Sequence, residues 1–186
     1  MTTMPAAPTA RAAWPRSWPA ALAWALWALA LIGMAATVRL DQLLIEAGFP
    51  QLTTVLSQGN LTSALAALSA ATVGAVVASR RPRHRVGWLL VTLGLALVAS
   101  LLAFSYTRYG LVARPGALPA ADYLAGFANG AVFLYLSLAG LILLLTPTGK
   151  LPSTRWRWWA RVQVAAVALA FLSSALHPTP LYPGVP

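Results

Sequence analysis

Apolar residues fall into five long blocks, 18–38, 61–79, 86–105, 123–146 and 158–176, and nearly all of the charge lies between them. A stretch of about 20 apolar residues reaches across a hydrocarbon layer of about 30 Å when helical. A backbone exposed to lipid must also satisfy its own hydrogen bonds. Each block therefore predicts a membrane-spanning helix, and the fold class is an all-α integral membrane bundle of about five spans filling 18–176. Residues 1–17 precede it as a cytoplasmic segment and 177–186 follow it as an extracytoplasmic tail. The fifth block is the shortest: its uninterrupted part, 162–176, reaches only about 22 Å at helical rise. Trp158 and Trp159 must join that helix for it to cross. The first block follows Arg11 and Arg16, as a signal peptide would, but its apolar core exceeds the usual length of about 7–15 residues, which favours an uncleaved span.

Composition agrees with this pattern. The chain has 186 residues, 59% hydrophobic and 9% charged, with a mean hydropathy of +0.72. A soluble domain carries about 25% charge. The net charge of +10 would fit a nucleic-acid partner if the cations formed a face. Instead they sit at the ends of apolar blocks, so no nucleic acid is expected. There are no cysteines, which removes disulfides, thiolate metal sites and cysteine nucleophiles.

Cations in short loops set orientation. Arg11 and Arg16 precede the first block; Arg80, Arg81, Arg83 and Arg85 follow the second; Lys150, Arg155, Arg157 and Arg161 follow the fourth. The intervening loops hold only Arg39, opposed by Asp41 and Glu46, and Arg108 and Arg114, with Asp122. The N-terminus and the second and fourth loops are thus expected in the cytoplasm of a cell whose inner (plasma) membrane holds the chain. Pro147, Gly149 and Pro152 make the fourth loop a turn, with Trp156, Trp158 and Trp159 at headgroup level.

Chemistry-bearing motifs are few. Gly149-Lys150 lacks the rest of a phosphate-binding loop, since Leu151 stands where a Ser or Thr is required and no strand precedes it. His84 and His177 fall on opposite sides of the predicted membrane, and the three acids are scattered. No catalytic residue, cofactor or metal is expected. Asn129 is the most polar residue within a block, inside Gly126-Phe-Ala-Asn-Gly130, a GxxxG step suited to close helix contact. The second block carries two small-residue rows, Ser63, Ala67, Ala71, Ala75, Ser79 and Ala66, Ala70, Gly74, Ala78, and is expected to be the central helix. FSYTRYG closes the third block; Tyr106, Arg108 and Tyr109, with Arg114, are either interfacial anchors or contacts for an anionic ligand outside the cell.

Five segments carry a family resemblance: VGAVVASRRPRHRVGWLLVTLGLAL, YTRYGL, RPGALPAADYLAG, LILLLTPTGKLPSTRWRWWARV and PLYPGVP, covering about residues 72–186. Together they resemble the N-terminal multi-pass membrane region of certain bacterial sensor histidine kinases. Arg80, Arg81, Pro82, His84, Gly87 and Trp88 fit that family's second loop, while Arg85 and Val86 stand where it carries Pro and Ile, and Thr148 where its later loop carries Asp. The resemblance implies a sensor and anchor module of a two-component system, not an enzyme on its own, because the phosphoacceptor and ATP-binding domains do not occur in the chain. It also implies the bilayer and a second copy or another membrane protein as partners. With five spans the tail faces outside, so the expectation is a truncated product whose full-length relative adds a sixth span before its catalytic part. The rival expectations are a small transporter subunit and an accessory membrane protein.

Overall fold

In the computed structural model, which describes residues 18–56, 60–146 and 154–176, five helices form: α1 Trp18–Glu46, α2 Leu61–Arg80, α3 Arg85–Arg108, α4 Ala121–Leu145 and α5 Thr154–Leu176. No strand occurs among the described residues. Side chains at 122, 129, 154–157, 160, 171 and 174–176 are outside the description. So are Arg11, Arg16, Lys150, His177 and the 177–186 tail.

Four helical stretches, Trp18–Glu46, Leu61–Arg80, Arg85–Ala113 and Tyr123–Leu145, are long and apolar enough to cross a membrane. The chain is a helical membrane protein. Its outward side chains agree: Ile32 is 66% exposed and Leu143 76%, which suits lipid and not water. The fifth crossing has a weaker basis. α5 has 23 residues, but its apolar stretch is Arg161–Ala170, about 15 Å at helical rise.

α1 departs most from expectation. It was expected to end at residue 38, yet continues through Arg39 and Asp41 to Glu46. Nothing in 39–46 breaks a helix, and Arg39 bonds Gln42 and pairs with Glu46 on its exposed face. The stop comes at Gly48, whose φ of +88° only glycine adopts freely. There Gly48 N–H donates to the Ile45 carbonyl and Phe49 N–H to the Leu44 carbonyl, the paired bonds of a Schellman cap. The loop predicted to carry Arg39, Asp41 and Glu46 therefore begins later, and charge does enter the helix. α3 likewise runs past 105 to Arg108 and into a π-helical segment, Tyr109–Ala113.

The central helix is α3, not α2: it packs against α1, α2 and α4, whereas α2 meets α1 and α3. α2 and α3 form an antiparallel hairpin pressed together through small residues. A Cβ on Gly74 would lie 2.5 Å from the Val91 nitrogen, and one on Gly94 would lie 2.7 Å from both the Ala67 oxygen and the Ala71 nitrogen. Of the two small rows on α2, Ala67, Ala71 and Ala75 of the first are buried; in the second Ala66 is exposed and Ala70 half-buried, while Gly74 and Ala78 are buried. Both rows are covered only over the half of α2 nearer the Arg80–Arg85 turn. The turn between these helices is closed by Trp88, whose indole N–H donates to the Pro82 carbonyl at 2.9 Å, and Gly87 admits the Ala78 backbone.

α1 joins the hairpin through Trp27, whose indole donates to the Thr72 hydroxyl at 2.9 Å. On α4, Gly130 is buried and Gly126 half-buried. α5 holds α4 through Gln163, whose amide donates to the Ser137 carbonyl at 3.1 Å across the gap left by Gly140. Polar groups of this kind serve as contacts between helices in lipid.

The α2–α3 contact generates a prediction. Gly74→Ala and Gly94→Ala each push a methyl into backbone and should cost about 1–3 kcal/mol, as overpacking does. Thermal unfolding in detergent should show lower midpoints for both; midpoints equal to that of the unaltered protein would mean that the hairpin is less closely packed than described.

Candidate functional site

The buried face of α1 runs Ala23, Ala30, Met34, Thr37, Asp41, Leu44, in steps of seven, four and three. Asp41 therefore occupies a core position, fully buried at 0% exposure. On α3 the same geometry carries Val98, Leu101 and Ser105 inward, with Arg108 one turn further on. α1 and α3 run parallel, so these two polar ends meet at the end of the bundle remote from the Arg80–Arg85 turn.

Between them lies the chain that leaves α1. A single 3₁₀ turn, Pro50–Leu52, is followed by buried Thr53, Thr54 and Val55. An irregular segment buried there must find partners for its backbone. Asp41 supplies them: Oδ1 accepts from the Thr54 N–H at 2.9 Å, and Oδ2 from the Val55 N–H at 2.7 Å and the Leu56 N–H at 3.3 Å. Ser105 of α3 adds its hydroxyl to Oδ1 at 2.8 Å. One carboxylate thus ties the end of α1, the following loop and α3 together.

Arg108 completes the cluster without touching Asp41. Its Nη1 donates to the Leu52 carbonyl at 2.9 Å and lies 3.4 Å from Thr54 Oγ1, which is 2.7 Å from Ser105 Oγ. Each hydroxyl has one proton. Ser105 commits its proton to Asp41, so Thr54 must donate to Ser105 and accept from Arg108. The bonds then run in one direction, from guanidinium through two hydroxyls to carboxylate, and each polarises the next. The Arg108 guanidinium also lies over the Phe104 ring, 5.7 Å from its centre. Its Nε is buried with no partner among the described residues.

Beside Arg108 a cavity of about 200 Å³ opens between α2, α3 and α4. Thr54, Asn60 and Arg108 line one end; Leu97, Leu101 and Tyr135 line the part further into the bundle. Asn60 occupies the N-cap of α2, makes no side-chain capping bond and lines the cavity.

The four residues considered for ligand contact separate. Arg108 faces inward to the cluster, neither snorkelling outward nor joining Arg114, which is exposed. Tyr106 is committed to the 114–120 loop, its hydroxyl donating to the Pro119 carbonyl at 3.0 Å. Tyr109 is half-buried in the π-helical segment. At the opposite end Arg80, Arg81, Arg83 and Arg85 are all exposed, as is Arg161, while the side chains of Arg155 and Arg157 lie outside the described residues. His84 begins α3 with a buried Nδ1 that has no partner among the described residues. No group of three His, Cys, Asp or Glu side chains comes together among the described residues.

Sequence reasoning missed Asp41, Thr54 and Ser105. The signal was phase: Asp41 lies four residues after Thr37 and seven after Met34, on the stripe that faces the core. Comparison with protein-family models, with characterised proteins and with solved structures gives no match to this chain.

Removing the carboxylate should release the loop. Asp41→Ala strands the two buried N–H groups of Thr54 and Val55, each worth about 1–3 kcal/mol, and should destabilise more than Asp41→Asn, which keeps one acceptor oxygen. Ser105→Ala should cost least, about 1 kcal/mol. Hydrogen exchange at the Thr54 and Val55 amides checks the order; unchanged protection in Asp41→Ala would show that Asp41 does not hold the loop.

Proposed function

We propose that this chain is the membrane-embedded sensory and anchoring module of a two-component signalling system, of the kind that feeds a bacterial histidine kinase. On this reading it carries no catalysis of its own. It sits in the plasma membrane with the Arg80–Arg85 turn in the cytoplasm and the Asp41 cluster at the outer surface. The observation that supports the reading is the Asp41 network itself: the loop between α1 and α2 is bonded directly to α1 and α3, two parallel helices whose other ends reach the arginine-rich face. A change at the loop must therefore alter the relation of those helices, and shifts of about 1–2 Å between packed helices are a common form of signal transfer. A second copy, or another membrane protein, receives the change.

A transporter subunit fits less well. Transporters bind at mid-membrane between broken helices. Here the departure from α-helical geometry in α3, Tyr109–Ala113, falls at the end of its crossing.

Orientation is checked with a reporter active only in the cytoplasm: activity is expected for fusions within residues 80–85 and silence for fusions near Gly116. The reverse pattern overturns the orientation. Transmission is checked separately, and the cysteine-free chain makes labelling specific. Spin labels at Leu22→Cys and Arg83→Cys, both at the arginine-rich end, should change separation by about 1–2 Å when Asp41→Asn is introduced at the other end. An unchanged distance distribution would make the cluster a static anchor and end the sensory reading.

A further inference from the structure

The cavity beside Arg108 combines features that the loop contacts do not use. Asp41 already accepts three N–H groups and a hydroxyl, so its charge is well satisfied, and it does not line the cavity. Arg108 does line it, and its acceptors are backbone carbonyls and a hydroxyl, none of which carries a compensating charge. A guanidinium has five N–H donors, and the buried Nε of this one is unpartnered among the described residues. The N-terminus of α2 adds positive potential in the same place: Asn60 and Ser63 both line the cavity, and the Asn60 side chain does not cap the helix. Polarity here favours an anion over a cation.

Shape narrows the class. From Arg108 the lining passes along α3 through Phe104 and Leu101 to Leu97, eleven residues and about 16 Å deeper into the bundle. The polar head of an occupant meets Arg108, and the remainder meets Leu97, Leu101 and Phe104, with Ser100 between them and Tyr135 from α4. We propose that this cavity binds an oxyanion carried on a short apolar tail, with Arg108 holding the head and Leu97, Leu101 and Phe104 the tail. A free short-chain carboxylate and the phosphate of a lipid present the same chemistry. Filling the cavity gives Arg108, and through it the Thr54–Ser105–Asp41 chain, a new partner. This deepens the sensory reading and rests on it only for its consequence: binding is measured below, and transmission by the spin-label distance above, so either can fail alone.

The test uses the full chain in an uncharged maltoside detergent, with calorimetric titration of hexanoate, of hexanol as its uncharged match, and of a short-chain lysophosphatidate. Hexanoate or lysophosphatidate should bind at least about tenfold more tightly than hexanol, a difference of about 1.4 kcal/mol. Tighter binding of hexanoate than of lysophosphatidate identifies the free acid as the source, and the reverse order identifies the lipid. Ser63→Leu, which fills the cavity from a half-buried position on α2 and leaves the Arg108 side chain unaltered in sequence, should abolish binding while leaving the helical circular dichroism unchanged. Arg108→Lys should weaken it at least about tenfold, since a lysine lacks the planar fork. Equal affinity for hexanol and both anions overturns the proposal. So does undiminished anion binding in folded Ser63→Leu, whatever Arg108→Lys does to stability.

Discussion

A carboxylate buried in a membrane protein must be surrounded by donors, and Asp41 meets that demand with the backbone of the loop that follows its own helix. The dependence is mutual. Thr54, Val55 and Leu56 cannot form helical bonds in an irregular segment, and without an acceptor their N–H groups would make burial costly. The fold of this end of the bundle rests on that exchange: the loop can enter the core because Asp41 is there, and Asp41 can be buried there because the loop is.

Arg108 extends the same logic to α3. A direct ion pair would neutralise both groups but would leave their remaining hydrogen-bonding capacity to be filled. Here two hydroxyls link them instead, and they fix the direction of every proton in the chain from Arg108 to Asp41. The small-residue seam of α2 and α3 does a different task. Gly74, Gly87 and Gly94 bring the two backbones into direct contact, so the hairpin is packed along its length independently of the polar bonds at its far end.

The helices and their approximate bounds were legible because lipid demands long apolar runs. The errors share one cause. Hydropathy reads an average along the chain, and a buried charge lowers that average just as an exposed one does; the average therefore closed α1 at residue 38 when the helix continues to Glu46. Helical phase distinguishes the two cases, since Asp41 lies on the buried stripe and Arg39 on the exposed face. Arg108 was legible as a residue of interest but not in its direction. The loop over which it folds is brought to it by α1, from more than fifty positions earlier in the chain. Gln163 was overlooked for a similar reason, because a single amide in an apolar helix matters only when a neighbour such as Gly140 leaves room for it to reach a carbonyl.

The two ends of the bundle handle charge in opposite ways, and the contrast has a physical consequence. At the α2–α3 turn, four exposed arginines repel one another and are stabilised by solvent or anionic headgroups, so their energy changes little with small movements of the helices. At the other end a single carboxylate and a single guanidinium are held by directional bonds of 2.7–3.4 Å, whose energy falls steeply with angle and distance. Displacement is therefore resisted by directional polar bonds at the Asp41 end, and at the arginine end by the packing of Gly87 against Ala78 and not by charge. A bundle built this way has one end set by hydrogen-bond geometry, where a small perturbation must be accommodated by moving whole helices, and one end set by close packing, where the charges themselves fix no geometry.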